Sequence, residues 1–188
     1  MQQFLITTVI MIFFSTMACS QLNYGVKLGI TYGKYTNHQF GGTLVQNDNG
    51  LGVNIGSLIR YSIGSHLLQG QPSLQVIRSP YKERFKTGHL HDVERFFFIE
   101  LPIIYSYRIL DGLFIGAGIN NSVLMESTST TDPITGRKKI LIGIQAEIEY
   151  ALISNLRIAL SHRYVGLFQT AEGYRTYSSL NFEFRWIF

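Results

Sequence analysis

Leu180-Asn181-Phe182-Glu183-Phe184-Arg185-Trp186-Ile187-Phe188 closes the chain, and its reading decides the fold. Leu180, Phe182, Phe184, Trp186 and Phe188 are large and apolar. Asn181, Glu183 and Arg185 stand between them. Side chains alternate faces along a strand, so one face is greasy and the other polar. A soluble sheet makes this pattern with the apolar face turned inward. A membrane barrel makes it with the apolar face turned outward to lipid. The rest of the chain chooses between them.

The same alternation recurs seven more times. It predicts strands at 22–33, 50–61, 66–78, 95–108, 113–124, 139–150 and 156–166, with the last beginning near Thr176. The first is unbroken: Leu22, Tyr24, Val26, Leu28, Ile30 and Tyr32 share one face, and Asn23, Gly25, Lys27, Gly29, Thr31 and Gly33 the other. Pro72 interrupts the third strand and predicts a local bulge there, since it lacks a ladder donor. The connections alternate in length. Ser62–Ser65, Ile109–Gly112 and Ala151–Asn155 are short turns rich in Gly, Asp, Asn and Ser. The stretches 34–49, 79–94, 125–138 and 167–175 are longer and polar. Short turns at one end and long loops at the other are the plan of an outer-membrane barrel. An even strand count puts both termini at the short-turn, periplasmic end.

Composition agrees. Charged residues make up 15% of the 188, against a usual value of about 25%. Aromatics reach 13%, and there are 18 glycines. Mean hydropathy is only +0.12, because a barrel wall averages its two faces. The net charge of +4 comes without a basic run, which excludes a nucleic-acid footprint. Counted from the short turns, Tyr24, Tyr61, Tyr105, Tyr107, Tyr150 and Trp186 fall in one layer. Such a belt fits a bilayer interface, where amphipathic rings prefer to sit. A soluble sandwich has no reason to align them.

Residues 1–20 read as an export signal and 21–188 as the barrel domain. The apolar run from Phe4 to Met17, about 14 residues, is short for a spanning helix, which needs about 20. Ala18 and Ser20 fit cleavage before Gln21, although Met1-Gln2-Gln3 lacks the usual cation. Cys19 is the sole cysteine, so no intrachain disulfide forms. It is expected to leave with the signal. Lipid attachment is the alternative, and Thr16 and Met17 suit it poorly.

The last strand resembles the C-terminal strand of bacterial outer-membrane barrels, whose final aromatic belongs to the assembly signal. That likeness implies such a role for Phe184, Trp186 and Phe188, with the barrel-assembly machinery as partner. Phe98-Ile99-Glu100-Leu101-Pro102-Ile103-Ile104-Tyr105 resembles a strand of the PorT-like outer-membrane barrels of Bacteroidota. Tyr24 to Gly29, Leu74 to Arg78, Ile115 to Gly118 and Arg163-Tyr164 resemble other pieces of that family in the same order. Gln71-Pro72-Ser73 departs from it by lacking a Glu after Pro. The resemblance implies an all-β, eight-stranded antiparallel up-and-down barrel of OmpX-like architecture. It also implies, for one member, an accessory role in protein secretion.

The inward positions carry Lys27, Arg60, Glu100, Arg108, Glu147, Glu149, Arg157, Arg163, Glu183 and Arg185. Eight strands enclose only enough room for side chains. The charges must therefore pair, because an unpaired buried charge is costly. Lys27 and Glu183 lie at similar height, and Arg157 can reach Glu147 or Glu149. A plugged polar core is expected rather than an ion path. Ser161-His162 invites a hydrolase reading, but neighbouring strand residues face opposite ways, whereas a nucleophile and its base must touch. His89 and His91 with His38 or Asp92 could approach a metal, yet two histidines do not make a site. No metal, cofactor or catalytic residue is expected. Lys82, Arg84, Lys86 and Arg95 could pair with lipopolysaccharide phosphates. Equally, they could belong to a solvated loop balanced by Glu83, Asp92 and Glu94. The expectation is a non-enzymatic membrane or interaction protein, with 34–49 and 79–94 as contact surface. Its alternatives are a secretion accessory and, disfavoured, a lipid-modifying enzyme or a small pore.

Overall fold

Alternation, not propensity alone, sets the strands. The computed structural model describes residues 21–39, 45–47, 49–85, 88–128, 139–170 and 173–188. Side chains are described for 22–34, 49–78, 95–125, 140–165 and 177–188. The strands are β1 (Gln21–Gln39), β2 (Val45–Asn47), β3 (Gly50–Ile63), β4 (His66–Gly70), β5 (Ser73–Phe85), β6 (Gly88–Leu110), β7 (Leu113–Thr128), β8 (Lys139–Ala151), β9 (Leu156–Thr170) and β10 (Gly173–Ile187). β4 and β5 form one stave, so eight staves make the wall, and β2 pairs outside that set with β5.

Every neighbouring pair of staves is antiparallel, and β1 pairs with both β3 and β10. The sheet therefore closes and leaves no free wall edge, as a bilayer demands. One row of partners runs Tyr24, Ile59, Gly70, Ile103, Ile119, Ile144, Tyr164, Ser178 and back to Lys34. It returns to β1 ten residues beyond its start, and that stagger fixes the strand tilt and the narrow bore.

The faces are inside out relative to a soluble sheet. Leu51, Ile142 and Ile144 are 68%, 67% and 66% exposed, while Lys27, Arg163 and Glu183 are 2%, 1% and 0% exposed. Water would not tolerate that wall, and hydrocarbon would.

Two local features differ from the expectation. At Pro72 there is no bulge. Ile59 pairs with Gly70 and Gly56 with Ser73, so the register passes through unshifted. The ladder is merely thinned. Ser57 N–H donates to the Pro72 carbonyl (2.9 Å) and Gln71 N–H to the Pro102 carbonyl (2.9 Å). Neither proline can return the second bond of its pair. Bulges occur instead between Phe97 and Phe98 and between Arg108 and Leu110, where β6 meets β7, and between Arg175 and Tyr177. The second difference is at the long-loop end. Much of 34–39, 79–94, 125–128 and 167–175 is not loop, because the hairpins continue the ladder there, as in Lys82 with His91 and Arg84 with His89.

At the other end the turns are tight. Gly64 has φ 59° at the first central position between paired Ile63 and His66, the geometry of a primed hairpin turn. Gly112 has φ 82° between Leu110 and Leu113. Both need the left-handed region that glycine enters freely.

Candidate functional site

The barrel interior gathers most of the residues singled out by charge. Five cations (Lys27, Arg60, Arg157, Arg163 and Arg185) and four glutamates (100, 147, 149 and 183) face it among the described residues. Arg108 does not join them. It is exposed, because it lies past Ser106, the last buried position of β6 at the short-turn mouth, and beside a bulge.

Arg185 is the hub. Its guanidinium donates to Glu147 Oε2 (2.6 Å), Glu183 Oε2 (2.6 Å) and Glu149 Oε2 (2.7 Å). The register explains how. Lys27 stands opposite Arg185, and Glu183 stands opposite Gly29. Like charges directly opposite repel. Gly29 leaves the gap into which Glu183 fits: a Cβ there would lie 2.8 Å from Glu183 Cγ. Lys27 Nζ then reaches diagonally to Glu183 Oε1 at 2.9 Å. Nearer the mouth, Arg60 (2.7 Å) and Arg157 (3.1 Å) converge on Glu149 Oε1, and Arg157 also lies over the Phe114 ring. Gln69 and Gln71 donate to Glu147, and Gln71 Oε1 accepts from Lys27.

Above this network, Arg163 and Glu100 form a separate pair at 2.5 Å. Gln145 and Gln75 each accept from Arg163 (3.1 Å), and Gln75 donates to Thr31 (2.7 Å). Two residues further along their strands the interior turns apolar. Ile77, Phe96, Phe98, Leu141, Val165 and Tyr177 pack together, with Phe98 stacked on Tyr177 at 5.7 Å. Sequence reading missed this seal. Its signal was present in the parity of β6, where the inward positions beyond Glu100 are Phe98 and Phe96.

On the outer wall, Tyr24, Tyr105, Tyr107, Tyr150 and Trp186 are exposed near the short turns, and Tyr61 is half-buried there. Leu22, Tyr61, Leu68 and Tyr105 share one row of partners. The Tyr105 hydroxyl bonds His66 Nδ1 at 2.5 Å. Phe184, Trp186 and Phe188 face outward, and Phe188 N–H donates to the Tyr24 carbonyl (2.8 Å). A shallow apolar groove bordered by Val26, Leu28, Ile55, Leu74, Phe184 and Trp186 lies on this lipid-facing side.

Ser161 is buried and His162 exposed, so they stand on opposite faces. His162 instead meets Ser178 Oγ at 2.9 Å on the outer wall, with Ala146 and Leu180 at its cross-strand positions. The side chains of His38, Lys82, Arg84, His89, His91 and Asp92 lie outside the described set, as do Lys86, Cys19 and all of 1–20.

A closed, eight-stave, antiparallel barrel with an apolar outer wall and a charged, filled interior is an outer-membrane β-barrel. The sequence matches the family described as outer membrane protein beta-barrel domain over residues 14–171, and the chain belongs to that family. Its place is the outer membrane, which it crosses many times. Among solved structures it is similar to Ail, the attachment invasion locus protein of Yersinia pestis. The two are 15% identical with a TM-score of 0.52, over 89% of this chain and 99% of that one. It is also similar to Neisserial surface protein A, with 14% identity and a TM-score of 0.52 over 87% and 96% of the two chains. At these identities the likeness is one of fold. No curated protein matches.

Proposed function

We propose that this is a non-conducting, non-enzymatic barrel that works by contact, presenting the hairpins around 34–49 and 79–94 to a partner outside the cell. One observation carries the reading: the bore is filled along its length, by paired charges below and an apolar seal above. An eight-stranded barrel so filled has no path for solute. The non-enzymatic half is supported by Ser161 and His162 facing apart, and by the lack of any carboxylate at the cross-strand positions beside the His162–Ser178 pair. A catalytic histidine needs such a group to orient it. The same reading assigns Phe184, Trp186 and Phe188 to engagement of the barrel-assembly machinery. It also leaves Lys82, Arg84 and Lys86 as lipopolysaccharide contacts.

The alternative is the PorT-like secretion accessory. It draws on Glu100-Leu101-Pro102, where Glu100 holds Arg163 and Pro102 accepts from Gln71 inside the wall. Those are architectural duties that many barrels could share. A deletion strain separates the readings. Secreted proteins accumulating in its periplasm would favour the accessory role, and altered lipid A would overturn the non-enzymatic one. On the contact reading, a barrel with 79–94 replaced by a short turn folds into the membrane but does not restore the wild-type phenotype. Full restoration would sink that reading for this hairpin.

A further inference from the structure

On several neighbouring staves the outward apolar stripe ends in a polar or cationic side chain at the same level. On β1 the stripe Leu28, Ile30, Tyr32 ends in Lys34. On β3, Ile55, Val53, Leu51 ends in Asn49. On β5, Leu74, Val76 ends in Arg78, and on β6, Leu101, Ile99, Phe97 ends in Arg95. Lys34, Asn49, Arg78 and Arg95 are all exposed. Tyr32, Leu51, Arg78 and Arg95 are successive partners in one row, so the two arginines stand directly opposite each other. Lys34 lies two residues further along β1, and Asn49 donates to the Tyr32 hydroxyl. No ion pair ties Lys34, Arg78 or Arg95 to a carboxylate among the described residues. Not every described stave ends so. On β10 the position paired with Lys34 is Ser178, and β7 reaches Val123 and Met125 without a charge.

We propose that Lys34, Arg78 and Arg95 form a phosphate-binding rim for a phosphorylated lipid of the outer leaflet. The proposal rests on the reading that the long hairpins face the cell exterior. Two guanidiniums opposite each other repel, and an anion between them turns that repulsion into attraction. The guanidinium fork suits phosphate oxygens, two donors to two acceptors. The level is that of the headgroups, because the hydrocarbon-facing stripe stops there on each of these staves. Tyr32, amphipathic and beneath Lys34, suits the same boundary. A phosphate carried on a lipid is favoured over a free ion because the three cations sit on the wall, facing the bilayer, and not in the bore. Mere snorkelling of three long side chains is the structural alternative.

The two accounts differ in sign. The full chain is refolded into vesicles of the phosphate-free galactolipid digalactosyldiacylglycerol, alone or with phosphorylated lipid A, dephosphorylated lipid A or inorganic phosphate. The unfolding rate is read from heat-dependent gel migration. Phosphorylated lipid A is expected to slow wild-type unfolding about two- to fivefold, the scale of one cross-strand charge interaction. Arg95→Gln should lose that gain, and should unfold more slowly than wild type in the galactolipid alone, where no phosphate is present and only repulsion is removed. Arg78→Lys, which keeps the charge, should retain part of the gain. The rim is overturned if Arg95→Gln keeps the full gain or is the faster unfolder in both membranes. It is also overturned if dephosphorylated lipid A protects equally, or if inorganic phosphate supplies the whole effect. None of these vesicle measurements depends on a partner for the hairpins, so the rim and the contact reading fail separately.

Discussion

Arg185 touches three glutamates and is fully buried. Its removal leaves Glu147 without an ion-pair partner among the described residues, because Lys27 serves Glu183 and both Arg60 and Arg157 serve Glu149. Stripping one partner from a buried charge cluster costs about 3–5 kcal/mol, because the others stay buried and underpaired. Arg185→Met is expected to lower folding stability by that amount in urea titrations of the bilayer-inserted protein; a loss below about 1 kcal/mol would show that the network relaxes. Arg185→Lys should recover less than half, since one ammonium cannot bridge three carboxylates as a planar fork does. The inward placement of these residues was legible from parity alone. Their exact partners were less so. Height alone aligned Lys27 with Glu183, but the register sets Lys27 opposite Arg185, and only the space left by Gly29 brings Lys27 diagonally to Glu183. A glycine's use as a gap depends on what stands across the strand, and sequence read one strand at a time does not contain that.

The stave made of β4 and β5 shows how an element tolerates damage. Pro72 and Pro102 each remove one ladder bond at adjacent positions, toward β3 and β6 respectively, and the register survives. Pairing on both sides holds the chain where one side is weakened. A non-proline residue at 72 would place an N–H against the Ser57 carbonyl. Pro72→Ala is therefore expected to show an amide at 72 protected from hydrogen exchange as strongly as that of Leu74, its neighbour on the same side of the ladder. Stability should move little, since a new hydrogen bond of about 0.5–1.5 kcal/mol is offset by the greater freedom of the unfolded chain, about 0.4–1 kcal/mol. Free exchange at 72 would mean the strand bows away from β3 there. Strand positions were readable because lipid on one side and side chains on the other enforce period two. Their upper ends were misjudged, because Lys82 to Phe85 and Gly88 to His91 are polar enough to look like loop. Beyond the membrane a hairpin needs no apolar face to persist, only a partner strand.

At the scale of the molecule, the stagger of ten residues around eight staves sets a bore that side chains fill in two different ways. The lower fill is ionic and centred on Arg185. The upper fill is apolar and centred on Phe98 and Tyr177. The ionic fill was foreseeable because nine of the ten charges expected to face inward had nowhere else to go. The apolar seal was not, because inward aromatic residues look the same in sequence as outward ones until the parity of each strand is fixed. Two barriers in series behave differently from one. Solute flow is limited by whichever barrier remains, so opening either alone should leave the barrel closed. In planar bilayers the wild type is expected to be silent. Phe98→Ala with Tyr177→Ala, which empties the upper seal, should be silent too. Arg185→Ala with Glu183→Ala, which thins the lower network, should also stay silent if it folds, with insertion checked by heat-dependent gel migration. Only the four substitutions together should give discrete conductance steps, since only then does a polar, solvated path join the two mouths. Steps from the upper-seal variant alone would show that the ion network passes solute and that Phe98 and Tyr177 are the sole gate. Silence in the folded fourfold variant would show that the remaining Arg163–Glu100 layer closes the bore by itself.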